Sequence, residues 1–188
     1  MISDKEQYRF YLEEDKKALG AFTKYLITQL DNSMAWLNNP IWVWTKTLRR
    51  LEYWENCNRG GVLRYVLRWL YVRRSNRLGL TIPLNVCGPG LCVAHYGSIV
   101  VSRHAQIGAN CTLHSGVNIG VHPDRILEAP IIEDNVWIGP GAKVFGGITI
   151  GSNIRIGANA VVTKSCKSEG ANLIGAPAVA HLPQCKDE

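Results

Sequence analysis

The sequence lacks any apolar run of the roughly 18 to 20 residues that a membrane-spanning helix needs. Its start, Met1-Ile-Ser-Asp-Lys-Glu6, also lacks the apolar core of a secretory signal peptide. A chain of 188 residues has room for one full domain and a smaller appendage. We therefore expect a globular protein that remains in the cytoplasm.

Cysteine pairs of the metal-binding or redox type are also missing. The six cysteines, at positions 57, 87, 92, 111, 166 and 185, form no Cys-x-x-Cys pair and show no Cys/His spacing typical of zinc sites. This distribution favours reduced, mostly buried thiols over a disulfide framework. We expect no bound metal.

Carboxylates are absent from a long central stretch of the chain. No aspartate or glutamate lies between Glu55 and Asp124, and the formal net charge of the whole chain is +6. Nucleic acid is a poor candidate partner, because the sequence has no recognisable reading motif. An anionic ligand or surface is the natural complement of the arginines in this stretch, which are Arg59, Arg64, Arg68, Arg73, Arg74, Arg77 and Arg103.

Residues 1–79 form a predicted α-helical N-terminal region. Apolar residues recur at helical spacing in the first segment, and a second helix is expected from Pro40 to about Asn56. A third helix runs from about Gly61 to Leu78, and its apolar residues are interleaved with arginine. We favour a helix that packs on its neighbours with its arginines in water; the alternative is peripheral contact with an anionic membrane.

Residues 80–188 follow a period of six instead of the helical period. This regularity predicts a β-helix, in which three short strands make one triangular turn and every sixth residue points to the axis. Asparagines between the strands suit the corners, because asparagine tolerates left-handed backbone. Unbroken steps of six join the aliphatic residues Ile132, Ile138, Val144, Ile150, Ile156 and Val162.

The repeat is interrupted once, at residues 120–131. This segment holds one six-residue unit and several additional residues, so we expect a loop that protrudes from the edge of a coil and suits a binding role. From Gly170 to His181 the six-residue pattern is lost, which indicates a C-terminal cap.

Two motifs carry a family resemblance. The ladder ending in Ile156-Gly-Ala-Asn-Ala-Val-Val-Thr-Lys164 resembles the hexapeptide-repeat acyltransferases. Gly90-Leu-Cys-Val-Ala-His95-Tyr-Gly-Ser, followed by Ile107-Gly-Ala-Asn-Cys-Thr-Leu-His-Ser-Gly116, is similar to serine acetyltransferases and their relatives that acetylate capsular and exopolysaccharides. The resemblance implies a mainly β fold, a left-handed parallel β-helix, with acetyl-CoA as co-substrate and no permanently bound cofactor. It also implies a homotrimer with active sites between subunits, and it leaves open whether trimers pair through the N-terminal helices.

His95 occupies the position of the family's catalytic histidine. A histidine, with an ordinary pKa of about 6.5, is well matched to removing a proton from an acceptor hydroxyl at neutral pH. The resemblance also implies that coenzyme A lies along the later coils, mostly against backbone. The matching positions here are Pro140, Gly141, Ala142, Gly157, Ala158 and Lys164, where small residues admit the pantetheine arm and Lys164 suits a nucleotide phosphate.

The chain departs from serine acetyltransferases on the acceptor side. Leu80 replaces the aspartate that orients the histidine, Ala94 replaces an acidic residue associated with serine binding, and Ala129 replaces a loop histidine. An amino-acid acceptor carries an ammonium group that a carboxylate would normally recognise. We therefore favour a neutral acceptor, a sugar hydroxyl in polysaccharide biosynthesis, over the alternative of serine in cysteine biosynthesis. Loop candidates for an acceptor role are His122 and Asp124.

Two other classes of function are considered. Some β-helix trimers, such as those of the carbonic anhydrase type, hold zinc through histidines, and the hexad frame makes His95 and His114 neighbours. A non-catalytic scaffold is the second class. The acyltransferase-like ending of the ladder and the motif around His95 argue against both.

Overall fold

The computed structural model describes residues 1–27, 39–125 and 127–182. Three helices come first: α1 (Lys5–Ile27), α2 (Pro40–Asn56) and α3 (Val62–Leu78). The Asn39 side chain caps α2 by accepting a hydrogen bond of 2.9 Å from the Ile41 N–H. Gly79 ends α3 in the left-handed region, with φ of 68°. The second and third helices therefore begin and end where the sequence predicts.

Short strands follow in three parallel sheets that the chain visits in turn. The first sheet contains β1 (Leu80–Thr81), β3 (Ile99–Val101), β6 (Asn118–Gly120), β9 (Lys143–Phe145) and β12 (Val161–Val162). The second contains β4 (Gln106–Ile107), β7 (Ile131–Ile132) and β10 (Thr149–Ile150). The third contains β2 (Cys92–Val93), β5 (Thr112–Leu113), β8 (Trp137–Ile138), β11 (Arg155–Ile156), β13 (Asn172–Ile174) and β14 (Val179–His181). The chain thus winds as a triangular coil, and the predicted β-helix is confirmed.

The aliphatic ladder forms the core of this coil. Ile138 pairs in register with Leu113 of the coil before it and with Ile156 of the coil after it, and none of the three side chains is exposed. Because each axis-facing residue lies on its counterpart in the next coil, the apolar side chains make one continuous column.

Asparagines occupy the corners of the coil with left-handed backbone. Their φ angles are 55° at Asn110, 58° at Asn135, 61° at Asn153 and 55° at Asn159. Asparagine is one of the few residues with a side chain that adopts this region readily. The corner role predicted for these residues is confirmed.

A loop leaves the coil between β6 and β7, at the corner between the first and second sheets. It is folded back on itself, since the His122 N–H donates to the Glu128 carbonyl at 3.0 Å and the Glu128 N–H donates to the Arg125 carbonyl at 2.9 Å. At the other end of the chain, β14 pairs antiparallel with β13 and closes the third sheet. The predicted cap, Gly170–His181, lies entirely within the described residues.

A buried ionic cluster joins the helices to the first coil. Arg49 of α2 bonds Asp15 of α1 at 2.8 Å and Glu52 at 3.0 Å, and the side chains of all three residues are almost entirely inaccessible. Arg49 also donates to the carbonyls of Cys87 and Gly88, and Asp15 accepts from a backbone N–H of the same segment. Burial alone would lower the pKa of Arg49, but the charges of Glu52 and Asp15 outweigh it and raise that pKa above its ordinary value.

Replacing Arg49 with methionine should destabilise the fold strongly. The change leaves two buried carboxylates and two backbone carbonyls without their donor, a loss that typically costs about 3 to 5 kcal/mol. Arg50→Met is the matched control, because Arg50 is exposed on the same helix and should change stability by less than about 0.5 kcal/mol. Urea unfolding followed by circular dichroism measures both variants, and equal midpoints would contradict the role given to Arg49.

Candidate active site

His95 lies at an exposed corner of the coil between β2 and β3. The turn that carries it is tight, with φ of 115° at Gly97 and 36° at Ser98. The end of α3 holds this turn in place, because the Gly97 N–H donates to the Leu78 carbonyl at 2.8 Å and the Ile99 N–H donates to the Gly79 carbonyl at 3.0 Å. The imidazole is thus presented to solvent from a rigidly held turn.

His114 is the neighbour of His95 on the next coil. Their ring centroids are 5.9 Å apart, and the ring of Trp137, one coil further on, lies 4.8 Å from His114 in an edge contact. Burial, followed by the proximity of His95, lowers the pKa of His114. The six-residue frame therefore predicted that the two histidines are neighbours. It did not predict the contact with Trp137, because that contact depends on the orientation of the indole side chain.

His95 lies on the edge of the coil where the chain passes from the third sheet to the first. The corresponding corners of the later turns stack along this edge. The Gly116 N–H donates to the Gly97 carbonyl at 3.4 Å, and the Gly141 N–H donates to the Ser115 carbonyl at 2.9 Å. On the last of these corners, the Asn159 N–H donates to the Pro140 carbonyl at 2.9 Å. Two of the predicted donor-binding residues, Pro140 and Gly141, therefore stack on the same edge as His95.

Small residues are required on this edge for packing. Gly141 has φ of 74°, and a Cβ there would lie 2.1 Å from the Asn159 side-chain oxygen. Gly157 and Ala158 precede Asn159 on the same corner, and Ala158 is exposed. The side chains on this part of the edge are consequently small. A long flexible ligand could therefore lie directly against the backbone.

Ala142 is the one buried residue among the expected donor-binding positions, and its place beside coenzyme A stays a prediction. It has no exposed surface, because it faces the axis of the coil. Its N–H donates to the Gly139 carbonyl and its carbonyl accepts from the Asn118 N–H, so the fold uses both backbone groups.

His122, Asp124 and Lys164 lie on a different edge, between the first and second sheets. His122 is half-buried, and its Nδ1 accepts a hydrogen bond of 3.2 Å from the Asp124 N–H. Lys164 is exposed directly after β12. A cleft of about 590 Å³ lies beneath the loop, and its lining includes His122, Arg125, Glu128, Phe145 and Thr163.

The three residues that replace polar groups of the family are all buried. Leu80 is 2% exposed, Ala94 4% and Ala129 9%. A separate groove lies between α1 and the outer side of the third sheet. Glu14 of α1 lines this groove together with Trp137, and it forms an ion pair with Lys17. The sequence did not predict this groove, because α1 and the strands of the third sheet are far apart along the chain.

Within the described ranges, no three histidine, cysteine, aspartate or glutamate side chains converge as a metal site. The five cysteines in the described part of the chain are free, and burial raises the pKa of Cys92 and Cys111 to about 11 each. These thiols are therefore neutral at physiological pH, and they contribute to packing.

Known proteins share both the repeat and the fold. Residues 129–164 match the bacterial transferase hexapeptide (six repeats) family. Serine acetyltransferase of Staphylococcus xylosus is 41% identical over 91 residues, which are 48% of this chain and 42% of that protein. The corresponding enzyme of Synechococcus elongatus is 35% identical over 91 residues, 48% of this chain and 37% of that protein. The match thus spans less than half the length of these curated relatives.

Solved structures extend the likeness to the helices. A serine acetyltransferase of Neisseria gonorrhoeae superimposes with a TM-score of 0.71 at 26% identity, covering 96% of this chain and 67% of that one. The soybean serine acetyltransferase apoenzyme superimposes with a TM-score of 0.72 at 23% identity, covering 94% of this chain and 69% of that one, and shows the shared fold.

The coil and its six-residue repeat resemble those of the bacterial hexapeptide transferases, whose family model matches residues 129–164. The chain is similar to serine acetyltransferases over about half of its length in sequence and over nearly all of it in fold.

The pKa of His114 should depend on His95. Replacing His95 with glutamine removes the neighbouring imidazolium, so the pKa of His114 should rise, yet stay below about 6.5 because burial persists. Titration of the imidazole resonances by NMR measures this shift, with His104→Gln as a control that leaves His114 unchanged. A fall in the pKa of His114 in the His95 variant would contradict the arrangement.

Proposed function

We propose that the chain is an acetyl-CoA-dependent O-acetyltransferase of the serine acetyltransferase type, with His95 as general base. The observation that supports this most directly is the edge of the coil, where an exposed histidine is followed by stacked corners of small residues. Such an edge offers a base in an early turn of the coil. The small residues in the later turns leave room for a pantetheine arm.

The chemistry is a direct transfer. An imidazole nitrogen of His95 takes the acceptor hydroxyl proton while the hydroxyl oxygen attacks the thioester carbonyl carbon. Backbone N–H groups stabilise the negative charge on the carbonyl oxygen of the tetrahedral intermediate. The carbon–sulfur bond then breaks, the ester remains on the acceptor, and the thiolate of coenzyme A recovers the proton from the imidazolium. No acyl-enzyme is formed.

The proposal includes the left-handed coil, the cytoplasmic location and the homotrimer that the sequence resemblance implies. In a single chain, His95 and the loop with His122 and Asp124 occupy different edges. A threefold arrangement sets one edge of each subunit against another edge of its neighbour, so the loop and Lys164 of one subunit reach the His95 edge of the next. Donor and acceptor then meet between subunits.

Serine is the acceptor that the comparisons favour, in preference to the sugar that the sequence suggested, because the relatives are serine acetyltransferases. A sugar hydroxyl remains the second candidate, since Leu80, Ala94 and Ala129 are buried and apolar.

Replacing His95 with alanine should lower kcat by about 10²- to 10⁴-fold, the usual contribution of a general base. His181→Ala is the matched control, because His181 is also exposed but lies in β14 at the end of the third sheet, and it should keep its activity. Release of coenzyme A is measured with both variants, and binding of coenzyme A by calorimetry should persist in each. Full activity of the His95 variant would exclude this mechanism.

The acceptor is identified by measuring coenzyme A release with serine and with nucleotide- or lipid-linked sugars. We expect kcat/KM for serine to exceed that for any sugar by at least about tenfold, because the curated relatives are serine acetyltransferases. A preference for a sugar would overturn the serine assignment and support the second candidate. Absence of transfer to every acceptor, with acetyl-CoA still bound, would contradict both.

A further inference from the structure

The third helix carries an apolar stripe on its outer side. Only Leu67, Ser75 and Leu78 of this helix are buried. The stripe follows the helical spacing i, i+3, i+4, i+7, which places its members on one face. Its residues and their exposed fractions are Val62 79%, Tyr65 65%, Val66 42%, Trp69 58% and Val72 49%.

This arrangement is the reverse of the usual amphipathic helix, whose apolar face points to the core. Single exposed apolar residues are ordinary, but a contiguous stripe that includes Trp and Tyr marks an interaction surface. The stripe extends from Val62 to Val72 of this 17-residue helix, so it is about 15 Å long. None of the helices in the described part of the chain is long and apolar enough to span a bilayer.

The charges that α3 itself carries have one sign, although Arg68 is paired with Glu55 of α2 at 2.8 Å. Helix α3 contains five arginines and no aspartate or glutamate. Arg73 lies over the Trp69 ring at 5.3 Å and Arg64 over the Tyr65 ring at 5.4 Å, so guanidinium groups sit beside the aromatic members of the stripe. Arg77 is exposed in the last turn of the helix.

We propose that α3 docks on an anionic lipid surface, with the stripe inserted among the acyl chains and the arginines paired with lipid phosphates. An interfacial helix combines the same features, an apolar face with Trp or Tyr and a border of basic residues. Pairing of two α3 helices is the alternative occupant. It would bring the exposed Arg73 and Arg77 of each helix together with no carboxylate from either helix, so charge complementarity favours the lipid surface.

The docked helix sets the orientation of the candidate active site. The Leu78 and Gly79 carbonyls at its end accept hydrogen bonds from the turn that carries His95. Tyr96, which follows His95 and is exposed, shares a cleft of about 440 Å³ with Arg74 and Arg77 of α3. A membrane beneath α3 therefore lies close to the His95 edge.

The test is flotation of the full chain with vesicles of phosphatidylcholine alone or with 30% phosphatidylglycerol. The wild type should float only with the anionic vesicles and should be released by about 0.5 M salt, which shortens the Debye length to a few ångströms. Arg73→Gln with Arg77→Gln should weaken the vesicle affinity by roughly thirtyfold. Val66→Ser with Trp69→Ser should weaken it by roughly tenfold or more.

The matched control is Arg9→Gln with Phe10→Ser, which removes an exposed arginine and an exposed aromatic ring from α1. It should float like the wild type. Failure of the wild type to float, or equal loss in the control, overturns the proposal. Light scattering is the second measurement: a smaller assembly for the Val66/Trp69 variant would show that a second copy covers the stripe. Activity of this variant in solution tests the proposed function separately.

Discussion

Arg49 is a full positive charge with no exposed surface, held between two carboxylates and two backbone carbonyls. A parallel coil has an intrinsic problem at its first turn, where no preceding turn satisfies the backbone groups. In this chain the problem is met by side chains from the helices. Arg49 donates to the carbonyls of Cys87 and Gly88, and Asp15 accepts from the Leu91 N–H. The helical region and the coil are consequently one structure, because each satisfies buried groups of the other.

The coil in turn determines which residues can act together. Parallel pairing repeats each corner directly below the previous one, so a residue at one corner is aligned with its equivalents in every later turn. His95, Pro140 and Gly141 are far apart in sequence but share an edge for this reason. The same geometry separates His95 from His122 within one chain. In the proposed trimer, the two residues come together from neighbouring subunits.

The sequence predicted the coil well because its cause is local and repeated. Ile132, Ile138 and Val144 follow one another at intervals of six, and the same spacing that fills the axis is visible in the chain itself. The pairing of His95 with His114 followed from that frame. The groove between α1 and the third sheet was harder to predict, since Glu14 reaches it only after α1 has folded across that sheet.

The burial of the third helix also could not be predicted from the sequence. Its composition predicted an amphipathic basic helix, and the favoured interpretation placed its apolar residues against the protein. Periodicity fixes which residues share a face, but it does not fix which face the rest of the chain covers. Here α3 contacts its neighbours through Leu67, Ser75 and Leu78, so the larger apolar face is turned outward.

An outward apolar face carries a free-energy cost in water, roughly 25 cal/mol for each square ångström that remains hydrated. That cost is removed when the stripe is buried in an apolar environment. The flanking arginines determine whether this environment is a protein groove or a lipid layer. In a neutral protein groove, Arg73 and Arg77 would lose hydration without gaining an opposite charge. At a phosphate-bearing surface they keep water, gain attraction and let Trp69 enter the apolar layer, so charge and apolar burial favour the same occupant.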